Sequence, residues 1–334
     1  MNMTSIGDLA HSLMLRTQST SLKAQISTLT EELATGQITD AGSRTGGDFS
    51  YLSDIERNVS LLNSYGLAAS EAALFTGAAQ QHLEQLQDLM SGFSATLATT
   101  RQSTQPSARE HAALEARSGL EKAIATLNGS IGGRRLFSGT ATDQPPLQDT
   151  ETLLAELKAE VAGLTTTTDI RQAVQDWFSD PSGFDAMMYQ GSDQPLAAMQ
   201  IGANESVTMS IKADDAEFRE ILQTLVLPVL AMEADLGFSS SVQTGLIHRA
   251  LDDSMNSEGH ITAVRADLGF AEARIEEVNT RNTAAQTSLE FARNQLLAAD
   301  PYETAVKLQE TQFQLESLYS VTARSSRLSL LSYL

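Results

Sequence analysis

Apolar or small residues recur at alternating steps of four and three along most of this sequence, a spacing that puts them on one stripe of an α-helix and favours long helices packed side by side. The first run passes through Leu15, Ser19, Leu22, Ile26, Leu29 and Leu33 and meets a helix stop at Gly36. A second carries Leu52, Ile55, Val59, Leu62, Gly66, Ala69, Ala73, Thr76, Gln80, Leu83, Gln87, Met90, Ser94 and Leu97, too long for an ordinary globular-domain helix. The most regular run keeps the same alternation through Val264, Leu268, Ala271, Ile275, Val278, Asn282, Ala285, Leu289, Ala292 and Leu296. Between the first two runs, Thr39 to Asp48 is turn chemistry without apolar anchors and is expected to be a loop.

Pro106 and Ser107 open a third helix, with Leu114, Arg117, Leu120, Ile124, Leu127 and Ile131 on its seam and Gly132-Gly133 at its end. Pro145-Pro146 marks a boundary, followed by two shorter helices over Leu153–Leu164 and Ile170–Phe178. Met199 and Ile201, then Val207, Met209 and Ile211, alternate with polar neighbours around Gly202-Ala203-Asn204-Glu205, the pattern of a β-hairpin with one buried face. Phe218, Ile221, Leu222, Leu225, Val226, Val229 and Leu230 form an apolar helix stripe that Pro228 is expected to bend. Asp300-Pro301-Tyr302-Glu303 supplies an N-cap, a proline at the first helical position and a capping-box glutamate. The last helix uses Val306, Leu308, Phe313, Leu315, Leu318 and Val321.

The fold class read from these patterns is mainly α, a long antiparallel helical bundle or coiled coil with a small α+β insert containing a β-hairpin. Three parts are expected. Residues 1–40 and 300–334 form terminal coiled-coil helices, disordered in the monomer; 41–140 and 241–299 form a long-helix core; 141–240 form an acidic outer insert. Hydrophobic residues make up 41% and aromatics only 5%, so the packing relies on many small contacts.

Against 42 Asp and Glu stand 22 Lys and Arg. A surface at −20 repels phosphate backbones and anionic lipid, which argues against nucleic-acid and membrane partners. Between Ala141 and Asp235, 17 acidic residues face 4 basic ones, so that stretch is expected to be solvated. With no cysteine there is no thiol nucleophile, thiolate metal site or disulfide. Met1 to Gln18 is interrupted by Gly7, Asp8, His11 and Arg16 and does not read as a cleavable secretory signal.

Chemical sites are poorly supported. His11, His82, His111, His248 and His260 show no metal-ligand spacing, and HExxH, Walker A, GxGxxG, GxSxG and SxxK runs do not occur. Gly132-Gly133-Arg134-Arg135 could hold a phosphate on its backbone amides, but a plain turn explains it more simply. No cofactor, no metal and no enzymatic activity are expected. The first and last helices carry thin apolar stripes among Ser, Thr and Gln, which bury too little to offset ~1–2 kcal/mol of backbone ordering per residue. They are expected to order only against partner copies.

Over nearly its whole length the chain resembles the flagellin superfamily and, within it, the hook-associated protein 3 family. Leu33-Ala34-Thr35-Gly36 is similar to that family's helix stop, although its usual paired aspartates are missing. Gly133-Arg134-Arg135-Leu136-Phe137-Ser138-Gly139-Thr140 resembles its Gly-Arg-Tyr-Ile-Phe stretch, and Tyr189-Gln190-Gly191-Ser192 with the hairpin and Phe218 resembles its small outer domain. Val264-Arg265-Ala266-Asp267-Leu268-Gly269 resembles the opening of its C-terminal core helix.

The resemblance implies a structural subunit of the bacterial flagellum that joins hook to filament and lies outside the cell. It also implies export without a cleaved signal peptide through the flagellar type III apparatus, with an export chaperone, and contacts with copies of itself and with neighbouring hook-associated and flagellin subunits. The expected assembly residues are Leu15, Leu22, Ile26, Leu29, Leu33, Val306, Leu308, Phe313, Leu315 and Leu318. A filament flagellin is the nearest alternative; a cytosolic signalling or scaffold bundle is the alternative from another class.

Overall fold

The computed structural model describes residues 4–40, 42 and 48–331. Most of the expected loop at Thr39–Asp48 lies outside the described residues. Helix α1, Thr4–Thr35, ends where Gly36 turns to a φ of 70°. Helix α2 spans Ser50–Arg101, and the Asp48 carboxylate accepts the Ser50 N–H at 2.9 Å. Helix α3 covers Pro106–Leu127 with proline in its first turn.

Helix α3 stops short of Ile131, contrary to the sequence reading. Ser130–Ile131 (β1) instead pairs antiparallel with Arg134–Arg135 (β2), and Gly132 and Gly133, at φ 56° and 82°, form the two-residue turn. Helix α4, Thr150–Glu160, is capped by Asp149, whose carboxylate accepts the Thr152 N–H at 2.8 Å. Helix α5, Thr167–Ser179, is capped by the Thr166 hydroxyl, which accepts the Asp169 N–H at 3.1 Å. A π-helical turn at Pro181–Asp185 follows, in which a Cβ on Gly183 would meet the Trp177 carbonyl at 2.1 Å.

The expected hairpin is present as Met199–Gly202 (β3) and Glu205–Val207 (β4), with Met199 opposite Val207 and a bulge between Gln200 and Gly202. It ends at Val207, before the expected Met209 and Ile211. Helix α6, Ala216–Met232, continues through Pro228. Helix α7 runs Ser240–Leu297, beginning well upstream of the regular heptads. Helix α8, Pro301–Leu331, opens with the Asp300 carboxylate accepting the N–H groups of Tyr302 and Glu303 at 2.9 and 3.1 Å. Glu303 does not complete the capping box seen in the sequence; its carboxylate meets Lys307 at 2.7 Å.

Contacts divide the chain into two compact units, Met1–Asn63 with Ala284–Leu334, and Ser64–Thr283. In the second, one buried cluster runs from Phe75 to Leu268 and joins Leu83 and Leu120 of the long helices to Leu153, Phe178 and Leu225 of the shorter ones. Helix α6 lies within it, with Phe218, Ile221, Leu222, Thr224 to Ala231 all buried. The face of α3 that packs there is built of Ala112, Ala116, Gly119, Leu120 and Ala123, and a Cβ on Gly119 would sit 3.0 Å from Leu225. Leu114, assigned to that seam from the sequence, is 68% exposed.

On α2 the expected seam holds at Ala69, Thr76, Leu83, Met90 and Leu97, but Ala73 is exposed and a second row, Ala72, Phe75, Ala79, Leu86 and Phe93, is buried beside it. A smaller cluster joins Ile201 and Val207 of the hairpin to Ala69, Ala72, Ile275 and Val278. There the Asn282 carboxamide donates to the Ile201 carbonyl at 2.8 Å, which explains a polar residue on a buried seam.

The run Leu136–Thr140 and the chain near Tyr189–Gln194, picked out separately in the sequence, are laced together. Ser192 N–H donates to the Ser138 carbonyl at 2.9 Å, Thr140 N–H to Gln194 at 3.0 Å, and Ala213 N–H to Phe137 at 2.8 Å. Gly139, at φ 59°, would carry a Cβ only 2.4 Å from the Gln194 carbonyl, so the lacing requires glycine. Gly139→Ala is expected to cost about 2–4 kcal/mol of unfolding free energy in urea titration, from positive φ and steric overlap together. Gly133→Ala, where nothing lies within 4 Å of a Cβ, is expected to cost only about 1 kcal/mol.

Candidate assembly interface

In the unit formed by Met1–Asn63 and Ala284–Leu334, the end of α1 and the start of α8 are tied by backbone. Ile38 N–H donates to the Leu297 carbonyl at 2.8 Å and Ala299 N–H to Gly36 at 2.9 Å, making an antiparallel bridge between Gln37 and Ala298. The two helices then run antiparallel. Farther along, Lys23 Nζ lies 5.9 Å from the centre of the Tyr319 ring. Hydrogen bonding with Ser19 and then Lys23 holds the Tyr319 phenol below its ordinary pKa.

The sequence-derived interface residues fall into two groups. Leu22 is buried, and Leu15, Ile26, Leu29, Leu308, Leu315 and Leu318 are half-buried. These lie on the paired faces of α1 and α8, so within one chain their contacts are already used. Leu33, Val306 and Phe313 are exposed, at 41%, 38% and 69%. The seam of α8 passes through Thr304, Leu308, Thr311, Leu315 and Leu318, and positions 306 and 313 fall on the opposite side of the helix.

Sequence reasoning named Val306 and Phe313 but missed other exposed apolar residues because it followed the stripe. Leu13, Met14 and Tyr302 are also largely exposed away from the seam, a concentration of apolar side chains of the kind that marks a contact surface. The pairing itself is thin. Among described side chains of helices 32 and 31 residues long, only Leu22, Thr304 and Thr311 are buried.

The remaining candidates resolve into structural roles. Arg134 meets Glu71 at 2.6 Å and Arg135 donates to the Asn128 carbonyl, so both arginines of the glycine turn are committed. His82 packs edge-on to Phe137, with ring centres 6.3 Å apart, and burial pushes its pKa down. A Cβ on Gly129 would stand 2.3 Å from that imidazole, a reason for glycine the sequence did not disclose. An open groove of about 860 Å³ lies between α5, α6 and α7, but its guanidinium groups are occupied. Arg171 holds Asp253 at 3.0 Å, and Arg219 holds Asp185 at 2.6 Å and donates to the Phe178 carbonyl at 2.8 Å. Among the described residues there is no group of three or more His, Asp or Glu placed to hold a metal ion, and no helix is long and apolar enough to cross a membrane.

Asp215, at the start of α6, is the most perturbed carboxyl. Burial pushes its pKa up to about 6, opposed by the Lys212 N–H and reinforced by Asp214. Because the folded-state value is raised, the stabilisation it lends is complete below the ordinary carboxylate range and is lost as pH rises through about 6. Asp215→Asn is therefore expected to raise the melting temperature at pH 7.5 by about 2–4 °C, with the gain shrinking towards pH 4; calorimetry across that range checks it.

Residues 250–334 match the family model described as the bacterial flagellin C-terminal helical region. No curated protein matches the chain. Among solved structures, Bacillus cereus FlgL is similar at 12% identity with a TM-score of 0.52, covering 72% of this chain and 100% of that one. A Vibrio parahaemolyticus protein described as flagellar hook-associated is similar at 12% identity with a TM-score of 0.50, covering 73% of this chain and 95% of that one. Residues 250–334 are thus similar to the flagellin C-terminal helical region, on a mainly α-helical fold shared with FlgL.

Proposed function

We propose that this protein is a structural subunit of the bacterial flagellum that joins hook to filament, in the manner of hook-associated protein 3, and that it assembles through α1 and α8. The observation that carries this reading is the α1–α8 pair, which buries few of its own side chains and exposes Leu13, Met14, Leu33, Val306, Phe313 and Val321. The flagellin-type match over residues 250–334 includes all of α8 and supports it. In this reading the seam residues Leu15, Leu22, Ile26, Leu29, Leu308, Leu315 and Leu318 hold the pair together, and Leu33, Val306 and Phe313 reach a neighbouring subunit.

The pair is expected to face inward in a tubular assembly, with residues 141–240 outward. Neighbours are further copies of this chain, other hook-associated subunits and flagellin. Delivery runs through the flagellar type III apparatus with an export chaperone, without removal of a signal peptide. In a lone monomer, α1 and α8 are expected to exchange amide protons far faster than α6. A filament flagellin is favoured instead if the purified protein grows long fibres on salt addition.

Two substitutions separate the roles of the two faces. Phe313→Asp is expected to leave far-ultraviolet dichroism and melting of the monomer unchanged while abolishing incorporation into the appendage. Leu22→Asp is expected to unfold the α1–α8 pair itself, since a carboxylate buried there lacks a partner. Localisation of tagged protein on shed appendages reads the outcome. Normal incorporation of Phe313→Asp would show that the outer face is not the contact.

A further inference from the structure

The α1–α8 pair is polarised in charge along its length. Near the chain ends, residues 4–19 and 320–331 carry Arg16, Arg324 and Arg327 against Asp8. Towards the bridge between Gln37 and Ala298, residues 20–35 and 301–319 carry Glu31, Glu32, Glu303, Glu310 and Glu316 against Lys23 and Lys307. One end is therefore basic and the other acidic. Some of this charge is satisfied inside the pair, where Glu303 holds Lys307 at 2.7 Å and Glu32 accepts the Thr39 N–H at 2.8 Å. Arg16, Arg324, Glu31 and Glu310 are exposed and enter no ion pair among the described residues.

Exposed apolar side chains gather at the same two ends. Leu13 and Met14, 66% and 65% exposed, border a shallow trough with Ala10 and Thr17 at the basic end. Tyr302 and Val306 share one face of α8 at the acidic end, and Leu33 comes level with Tyr302 because each stands four residues from the Gln37–Ala298 bridge. The rise from Leu13 to Leu33 along α1 separates the two patches by about 30 Å.

A second copy laid alongside in register would set basic end against basic end and acidic against acidic, and facing like charges weigh against that alignment. A copy displaced along the pair by the distance between the patches sets Arg16 and Arg324 near Glu31 and Glu310 instead, while Leu13 and Met14 cover Leu33, Tyr302 and Val306. Such a contact joins two different surfaces, so every copy keeps one free surface for the next and the series stays open. Resting on the structural-subunit reading above, we propose that copies of this chain associate head to tail, the trough at Leu13 and Met14 of one seating on the Leu33, Tyr302 and Val306 patch of the next.

The chain has no native cysteine, so introduced cysteines report the pairing in appendages shed from cells that make the full-length variants. The linker is a short bismaleimide, unable to span the ~30 Å within one chain. Leu13→Cys alone and Tyr302→Cys alone are expected to stay unlinked, and the two made together in one cell to give dimers only. Leu13→Cys/Tyr302→Cys in one chain is expected to give a ladder of dimers, trimers and larger species. Linkage in either single variant would reveal in-register contact, and dimers alone from the double variant a closed antiparallel pair. Either result overturns the head-to-tail contact, as does the absence of any linkage in appendages that contain the protein. Absence of the unaltered protein from appendages would remove the structural-subunit reading, and this pairing with it. Charge supplies a second measure. Arg16→Glu/Arg324→Glu is expected to lower incorporation about ten-fold, and adding Glu31→Lys/Glu310→Lys, which reverses both ends, to restore it; no recovery would also overturn the assignment.

Discussion

Helix α6 sets what the larger unit can be. A helix with buried residues on nearly every side keeps little solvent face beyond the groove at its N-terminal half, and it must be enclosed by other elements. The alanine face of α3 meets it, Phe137 packs against its Phe218 with ring centres 5.8 Å apart, and its Arg219 lies 5.1 Å from the centre of the Phe184 ring. Continuity through Pro228 follows from the same enclosure. Proline removes one intrahelical hydrogen bond, a loss of about 3 kcal/mol in an exposed helix, but burial of Leu225, Val226, Val229 and Leu230 around it offsets that loss.

The α1–α8 pair has the opposite physical character. Its helices are long and regular in period, yet among the described side chains only Leu22, Thr304 and Thr311 are fully buried. Helix propensity alone rarely holds such segments, since helical stability in proteins comes mostly from packing of an amphipathic face. Backbone ties at Gly36 to Ala299 fix where the pair begins. What it lacks is a third surface against which the outer apolar residues can pack.

Much of this was legible in the sequence, and the failures have physical causes. Period, caps and glycine stops located α1, α2, α7, α8 and the β3–β4 hairpin because these signals are local. The upstream part of α7 was passed over because Ser254 and Ser257 occupy its buried face, and small hydroxyls read as surface when their partners are unknown. Helix α6 read as a stripe, because a single sequence carries no sign that every side will be covered. Ala73 and Leu114 were misplaced for a related reason. An apolar residue fits a helical period within one position, and only the neighbouring helix decides which residue turns inward. The β1–β2 hairpin was hidden because two-residue strands have no period.

Charge is distributed in keeping with these two characters. Helix α1 carries Asp8, Glu31 and Glu32 against Arg16 and Lys23, and α8 carries Glu303, Glu310 and Glu316 against Lys307, Arg324 and Arg327, so both are close to neutral. The stretch from Ala141 to Asp235 holds 17 acidic residues and 4 basic. Two copies meeting through that stretch would bring like charges together, and salt screens such repulsion only beyond about 8 Å at physiological strength. Two copies meeting through α1 and α8 would bring together near-neutral helices whose exposed leucines, phenylalanine and valines lose water on contact. The sequence thus keeps its excess negative charge apart from the exposed apolar side chains of α1 and α8.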